Sequence, residues 1–479
     1  MASIDKQSVR DEFERIKTEF NHLTKKKKVA PELMALFTGL MMLLDVILAI
    51  FLEKKTKKTH KNSSKPSSQT EKDESALDKP GSNGKGKSEK NQAAQNTRTV
   101  ETITVLPVIA CEHCGQSLEN TSCGCIERRT RIDIIFEKTV EHFDAEVKKC
   151  PSCHHQTKAQ HPGDLQGPLQ YGNGLKAYII QLVIAQMVAL NRVQKMVKAL
   201  IGQLMSEASI LKYIMQLPLA LADWEKLSVD KLLTQKCIHS DETSMRVEKK
   251  NFWVHVYSGG DITLKFLHKN RGKQAIEDIN IIPRYGGAVV HDCWQSYLSY
   301  HQCSHGLCGS HLLRELTFVI ESNGYSWAKN MKRLLQETCQ KVSDSQSKKL
   351  SKEAYVNLQK RYRNIMTRGG KELPAIPEKT NGRRGKIAKS DAHNLWERLQ
   401  KHEAAVLLFA QDPYVAFTNN RAERDLRMGK VKQKVSGCFR AEKYAHAYCR
   451  ISSYLQTMAN KGINPLIAIQ MALVGKITD

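Results

Sequence analysis

Three short stretches carry acidic residues in settings suited to metal-assisted phosphoryl transfer: CIHSDET around Asp241, AVVHDCW around Asp292 and NNRAERDLR around Glu423. Each aspartate follows a short apolar run rich in Val and Ile, which predicts a buried strand delivering a carboxylate at its end. Glu423 lies in a polar, Arg-rich segment where Glu423, Arg427 and Lys430 fall at i, i+4 and i+7, one face of a helix. Hard divalent cations such as Mg²⁺ or Mn²⁺ prefer oxygen ligands. A few carboxylates from separate elements can therefore hold two ions about 3.5–4 Å apart around a phosphate. One ion activates the attacking oxygen and the other stabilises the leaving one. The competing reading is that acids after strands cap the next helix or face solvent.

The neighbouring elements favour the first reading. After Asp241 comes FWVHVYSGGDITLKFL, two alternating runs separated by Ser258, Gly259, Gly260 and Asp261, then a helix-like RGKQAIEDIN leading into AVVHD. Strand with acid, two strands, helix, strand with acid and a helical acid is the order of a ribonuclease-H-like fold. The chain resembles the insertion sequence 66 family of DDE-type transposases. NNRAERDLR, HDCWQSY and CGSHLLREL at 308–316 are similar to that family's catalytic signatures, NSSKPSS at 62–68 to its serine-proline linker, and the paired cysteines at 111–153 to its zinc-binding segment.

The resemblance implies that Asp241, Asp292 and Glu423 form the metal-binding triad and that Lys430 occupies a basic position. It implies an enzyme that cuts at the ends of its own mobile element and joins the freed 3′-OH ends to target DNA. The partners would be transposon-end and target DNA, further copies of the chain and accessory proteins of the same element, with no small-molecule substrate. It also places Cys308 and His311 at a strand–helix junction beside the active site. For Cys303, His305, Cys308 and His311 we therefore expect packing or DNA contact rather than a second zinc site.

Composition agrees. The chain has 479 residues, enough for more than one domain, and a formal charge of +25. Its basic residues are spread over several segments, which points to nucleic acid rather than a membrane surface. The 13 cysteines, several in CxxC pairs, and the polar N-terminal stretch suit a reducing cytoplasm, with the protein on the nucleoid.

The fold class expected is multidomain α+β. Residues 1–52 should be a helical oligomerisation segment, in which Leu33, Leu36, Leu40, Leu43, Ile47 and Ile50 follow a heptad seam. The apolar stretch 33–52 is also long enough to cross a bilayer, although Asp45 would be costly there. A helix buried against the body is the remaining alternative. Residues 53–100 read as a flexible basic linker, with Lys54, Lys55, Lys57, Lys58 and Lys61 available to phosphates. Residues 101–168 read as a zinc-binding module in which Cys111, Cys114, Cys150 and Cys153 supply two knuckles for a structural Zn²⁺. Cys123, Cys125, His113, His154 and His155 are further candidate ligands there.

Residues 169–228 read as a helix-turn-helix turning near Ile201, Gly202 and Gln203, with Ser206 as cap and Ser209 and Lys212 facing a groove. Residues 229–479 read as the ribonuclease-H-like catalytic domain, with a helical insertion at about 323–405. DNA contacts are expected from Arg421, Arg427 and Lys430, from Lys212, and from Arg383 and Arg384 in GRRGKIAKS. Two rivals remain. A zinc and helix-turn-helix regulator without catalysis explains the charge but leaves the carboxylates idle, and a membrane-anchored protein explains only residues 33–52.

Overall fold

The computed structural model describes residues 6–26, 30–59, 61–62, 102–132, 137–163, 165, 167–376 and 388–477. Most of the expected linker, with all of NSSKPSS beyond Asn62, lies outside the described residues, as do Arg383 and Arg384. The chain is mixed α and β and groups into two compact units. One draws on residues 1–83 and 221–461, the other on 84–220 and 462–478.

Two helices open the first unit, α1 (Lys6–Lys25) and α2 (Pro31–Lys55). Proline at the first position suits the start of α2, because its missing N–H would have no intrahelical partner there. Lys17 pairs with Asp45 at 3.0 Å and Phe20 stacks on Phe37 at 5.4 Å, tying the helices together. Among the described helices α2 is the one long and apolar enough to cross a bilayer. It runs on past residue 52 for a physical reason. The buried Glu53 carboxylate accepts the N–H groups of Asp391, at 2.5 Å, and Ala392, at 2.8 Å, capping a helix of the body. Met41, Val46, Ala49 and Leu52 are buried, whereas the seam positions Leu33, Leu36, Leu40, Leu43 and Ile47 remain exposed.

In the second unit, β1 (Val147–Lys149) and β2 (Gln156–Lys158) form a hairpin that carries Cys150 and Cys153. Helices α3 (Asn173–Ile180), α4 (Leu190–Ile201) and α5 (Glu207–Ala220) follow. Gly202, at φ +73°, ends α4 in the left-handed conformation that glycine adopts without strain. Ser206 Oγ accepts the N–H of Ser209 at 3.1 Å at the start of α5.

The first unit resumes with α6 (Ala222–Leu233) and a five-stranded sheet: β3 (Cys237–Val247), β4 (Lys250–Gly259), β5 (Ile262–His268), β6 (Ala288–His291) and β7 (Ser304–Leu307). The order is β5-β4-β3-β6-β7; the β5–β4 and β4–β3 pairs are antiparallel, β3–β6 and β6–β7 parallel. The short α7 (Lys273–Ile279) makes the crossover between β5 and β6.

Helices α8 (Gly309–Asn323), α9 (Ser326–Asp344), α10 (Lys352–Glu372), α11 (Asp391–Lys401) and α12 (Glu403–Gln411) come next. They share one apolar core with the β6–β7 edge, in which Val290 and Leu307 join Leu316, Trp327, Tyr362 and Leu407. The described residues of the stretch expected as an insertion are thus mostly helical, and their core is continuous with that of the sheet.

α13 (Asn420–Ser436) packs against the central β3 and its neighbour β4, and α14 (Glu442–Asn460) lies along the other edge strand, β5. Side chains of α14 satisfy the edge strand: Ser453 Oγ accepts Lys265 N–H at 2.8 Å and Thr457 Oγ1 accepts Thr263 N–H at 3.1 Å. The apolar α15 (Pro465–Leu473) joins the second unit, burying Ala468, Ile469 and Ala472 where α3 and α5 pack. Residues 462–478 thus group with the second unit.

Candidate active site

Asp241 sits in the middle of β3 rather than at its end, because β3 continues into the hairpin with β4. Asp292 follows β6 directly, and Glu423 occupies the first turn of α13. Asp241 and Asp292 both feel their acidic neighbours. Burial pushes the Asp241 carboxyl well above its usual range, and the neighbouring Glu242, Asp292 and Glu423 push the same way. Asp292 is also raised by burial, opposed by His311 and Arg271 and reinforced by Glu423. Among the described residues, Asp292 Oδ1 and Glu423 Oε1 are buried without a hydrogen-bond partner. A partly buried set of carboxylates with open lone pairs fits a cation-binding site.

Glu242, which the sequence reading did not single out, is a fourth carboxylate here and the most deeply buried of the four. Burial first and Asp292 next push it up to about 7, against Arg271 and Tyr297. Arg271 Nε donates to Glu242 Oε1 at 2.7 Å and Tyr297 Oη to Oε2 at 2.7 Å, while Ser240 Oγ donates to Tyr297 Oη at 3.0 Å. The Arg271 guanidinium lies 5.0 Å from the ring centre of Trp253 and 4.2 Å from that of Trp294. Glu242 is thus charge-balanced by an arginine whose own position is fixed by two aromatic faces.

Two polar anchors set α13. Asn419, just before the helix, donates from Nδ2 to Ser240 O at 2.8 Å and from its backbone N–H to Cys308 Sγ at 3.2 Å, and its Oδ1 lies 3.0 Å from His239 Nδ1. Asp425 Oδ2 accepts the hydroxyls of Ser258 at 2.7 Å and Thr263 at 2.9 Å, all three residues being buried. Glu423 lies between these anchors in sequence, so they fix how far its turn is rotated toward β3.

An open cleft of about 600 Å³ borders Glu423 and is lined by Arg314, Arg421, Arg424 and Arg427 with Asn420. Of the expected DNA-contact residues it gathers Arg421 and Arg427. Arg421 also donates to Gly260 O at 2.6 Å, so part of its guanidinium serves packing. Lys430, exposed further along α13, does not line the cleft. Arg314, from α8, and Arg424 were missed; only the density of arginine around the signatures hinted at them.

Cys308, buried at the junction of β7 and α8, and His311, on the first turn of α8, lie beside Glu423, in the place expected for them. One donor atom from each and one from Glu423 lie within 4.8 Å of one another, and His311 Nδ1 is 3.6 Å from Glu423 Oε1.

In the second unit both cysteine pairs sit on the same kind of turn. Cys111 N–H donates to Gln116 O and Gly115 N–H to Cys111 O, each at 2.9 Å. Cys150 N–H donates to His155 O at 2.9 Å and His154 N–H to Cys150 O at 3.0 Å. Gly115 and His154 both have positive φ, +73° and +58°. Backbone N–H groups, those of Cys114 and Cys153 foremost, pull the Cys111 and Cys150 thiols below their usual range. Among the described residues no three of Cys111, Cys114, Cys150 and Cys153 have donor atoms within 4.8 Å of one another. Lys212 is exposed on α5.

No curated protein matches the chain. The Transposase IS66 family matches residues 168–447, more than half of the sequence and all of the elements that carry Asp241, Asp292 and Glu423, and the chain belongs to that family.

Proposed function

We infer that the protein is a DNA transposase that cleaves at the ends of its mobile element and transfers the 3′-OH ends to target DNA. The observation that supports this reading is that Asp241, Asp292 and Glu423, on three separate elements, lie near enough for Asp292 and Glu423 to raise the Asp241 carboxyl, with Glu423 beside an arginine-lined cleft; as a set their oxygens stand wider apart than a 4.8 Å ligand spacing. Three antiparallel strands followed by two parallel ones, with acids on the central strand, its parallel neighbour and a packed helix, support a ribonuclease-H-like catalytic domain.

Asp241, Asp292 and Glu423 are the residues that would hold a pair of divalent cations, Mg²⁺ or Mn²⁺. When bound, such ions lower the barrier to in-line attack by water or a 3′-OH on a phosphodiester and stabilise the leaving oxygen. The open lone pairs of Asp292 Oδ1 and Glu423 Oε1 are available for that purpose. Arg314, Arg424 and Arg427 fix phosphates beside Glu423, supplying position rather than sequence readout. The nearby hydroxyls of Ser240 and Tyr297 are buried and engaged with each other and with Glu242, which disfavours a side-chain nucleophile and a covalent protein–DNA intermediate.

The helix pair α4–α5 with Lys212 is read as a helix-turn-helix DNA-binding element, and the two cysteine turns as halves of a structural Zn²⁺ site. The exposed seam of α2 is read as a self-association surface. The test is a cleavage and joining assay in Mg²⁺ on DNA carrying the element's own ends. Cut and joined products are expected, and binding without strand cleavage would leave a regulator instead.

A further inference from the structure

We propose that Cys308, His311 and Glu423 form a site for a borderline transition metal such as Zn²⁺, and that an ion bound there sequesters Glu423 and switches strand cleavage off. The geometry comes first. One donor atom from each residue lies within 4.8 Å of the other two, and His311 Nδ1 stands 3.6 Å from Glu423 Oε1. Tetrahedral zinc with bonds of about 2.0–2.1 Å to N and O sets its ligands roughly 3.3 Å apart, so little movement is needed. Both atoms are also buried and lack a hydrogen-bond partner. Buried polar atoms left open in this way are costly unless something fills them.

Cys308 is held rigidly. Its N–H donates to His291 O at 2.9 Å and its sulfur accepts the Asn419 N–H at 3.2 Å, as a metal-bound thiolate would. The next residue, Gly309, donates to Phe417 O at 2.7 Å and packs so tightly on the Phe417 ring that a Cβ would come within 2.3 Å of it. His311 follows three residues after Cys308 on the first turn of α8, so both donors ride on one rigid element.

Donor chemistry separates this site from the carboxylate site. Thiolate and imidazole select Zn²⁺ and similar ions, whereas an all-carboxylate set suits Mg²⁺. Glu423 is common to both, so one carboxylate cannot serve fully in each at once. Loading the Cys–His–Glu site displaces the Cys308 thiol proton to solvent, involves no redox change and leaves a fourth position for water. The switching half of the inference rests on the catalytic reading of Glu423; the binding half does not.

The test uses the full chain. Zinc per chain is counted by equilibrium dialysis for the wild type, Cys308→Ala, Cys308→Ser and His311→Ala, with circular dichroism melts to show that each is folded. The cysteine turns of the second unit contribute equally to all four and cancel in the comparison. One fewer zinc in the folded variants is expected, together with loss of a thiolate-to-metal absorption band when Co²⁺ replaces Zn²⁺. Equal zinc counts and equal Co²⁺ spectra in wild type and folded variants overturn the site. The ratio of cleavage in millimolar Mg²⁺ with and without micromolar Zn²⁺ is then measured, and at least a tenfold weaker inhibition is expected for Cys308→Ala. Unchanged inhibition in a variant that has lost the zinc overturns the switch. Absence of Mg²⁺-dependent cleavage from the wild type, with the zinc difference intact, would remove the catalytic reading and the switch but leave the site.

Discussion

Asp241 and Asp292 stand at the same level of two neighbouring parallel strands: β3 and β6 stay in register up to His239 opposite Val290, and each acid lies two residues further along. The register sets the two acids on neighbouring strands, and α13 carries Glu423 near enough to act on both. Since charge rather than shape is what a metal needs from them, Asp241→Asn, Asp292→Asn and Glu423→Gln should each reduce cleavage by roughly 10²–10³-fold or more while sparing DNA binding. A cleavage assay beside a gel-shift titration checks this. Full activity in any one variant removes that residue from the site.

The same acids should make the Mg²⁺-free protein sensitive to pH in a defined direction. A carboxyl raised above its unfolded value costs nothing below the unfolded pKa, and its penalty grows as pH rises toward the folded value, about 7 for Glu242. Asp241 and Asp292 are raised in the same sense. Buried His255, pushed down to about 4, acts oppositely, losing stability as pH falls below its ordinary range, so the total curve mixes both trends. The difference between chains is the clean readout. In Mg²⁺-free buffer Asp241→Asn should melt higher than wild type at pH 7.5, and the gap should shrink toward pH 5 as the wild-type acids take up protons. A gap independent of pH would mean that Asp241 is not held raised.

Asp425 is expected to act through Glu423 as a positioning residue. Its carboxylate accepts the buried Ser258 and Thr263 hydroxyls, and Asp425→Ala strands both donors, at a cost of roughly 2–4 kcal/mol. Asp425→Asn keeps an acceptor oxygen and should recover much of that stability. If the anchor sets the rotation of α13, Asp425→Ala measured where it is folded should need more Mg²⁺ for half-maximal cleavage, with DNA affinity little changed. An unaltered Mg²⁺ requirement would confine Asp425 to stability.

The elements were legible where pattern and chemistry coincide. The Ser258–Asp261 segment reads as a turn and does connect β4 to β5, with Gly260 at φ +51°. The other hairpin was not legible. β3 turns into β4 at Glu248 and Lys249, both at positive φ without glycine or asparagine to announce it, and this is why the sequence pattern ends at Asp241 a strand that in fact continues. Glu242 escaped notice because its significance lies in distant partners, Arg271 and Tyr297, which only the folded sheet brings to it. Cys308 and His311 stood out by spacing, but nothing in a spacing reveals that Glu423, far along the chain, completes their group. The return of α15 to the second unit was hidden for the same reason, since an apolar helix does not name the surface that buries it.

Arg314 and Arg424 should contribute affinity without sequence preference. Each lines the cleft beside Glu423, and neutralising a phosphate contact lowers the slope of log K against log salt by about 1 per residue. Arg314→Ala and Arg424→Ala should therefore weaken binding to the element's ends and to unrelated duplexes alike, with shallower salt dependence. Fluorescence anisotropy across a salt series reads both effects. A salt slope identical to wild type in both variants would show that the cleft is not where phosphates bind.

The two faces of α2 should behave differently under mutation. Leu52 is 3% exposed and Glu53 6%, so Leu52→Ala or Glu53→Ala should lower the melting temperature by undoing the contact with the body. Leu40 and Leu43 are each 49% exposed, so replacing both with Asp removes little packing within one chain. In a self-associated seam the same charges would be buried without partners, at roughly 3–5 kcal/mol. The Leu40→Asp, Leu43→Asp chain should thus keep its melting temperature while its assembly falls apart, and the joining of paired ends should suffer more than Mg²⁺ binding. Light scattering that finds the same mass for variant and wild type removes the seam reading. Recovery of the wild-type protein with membranes would assign this exposed face to lipid instead.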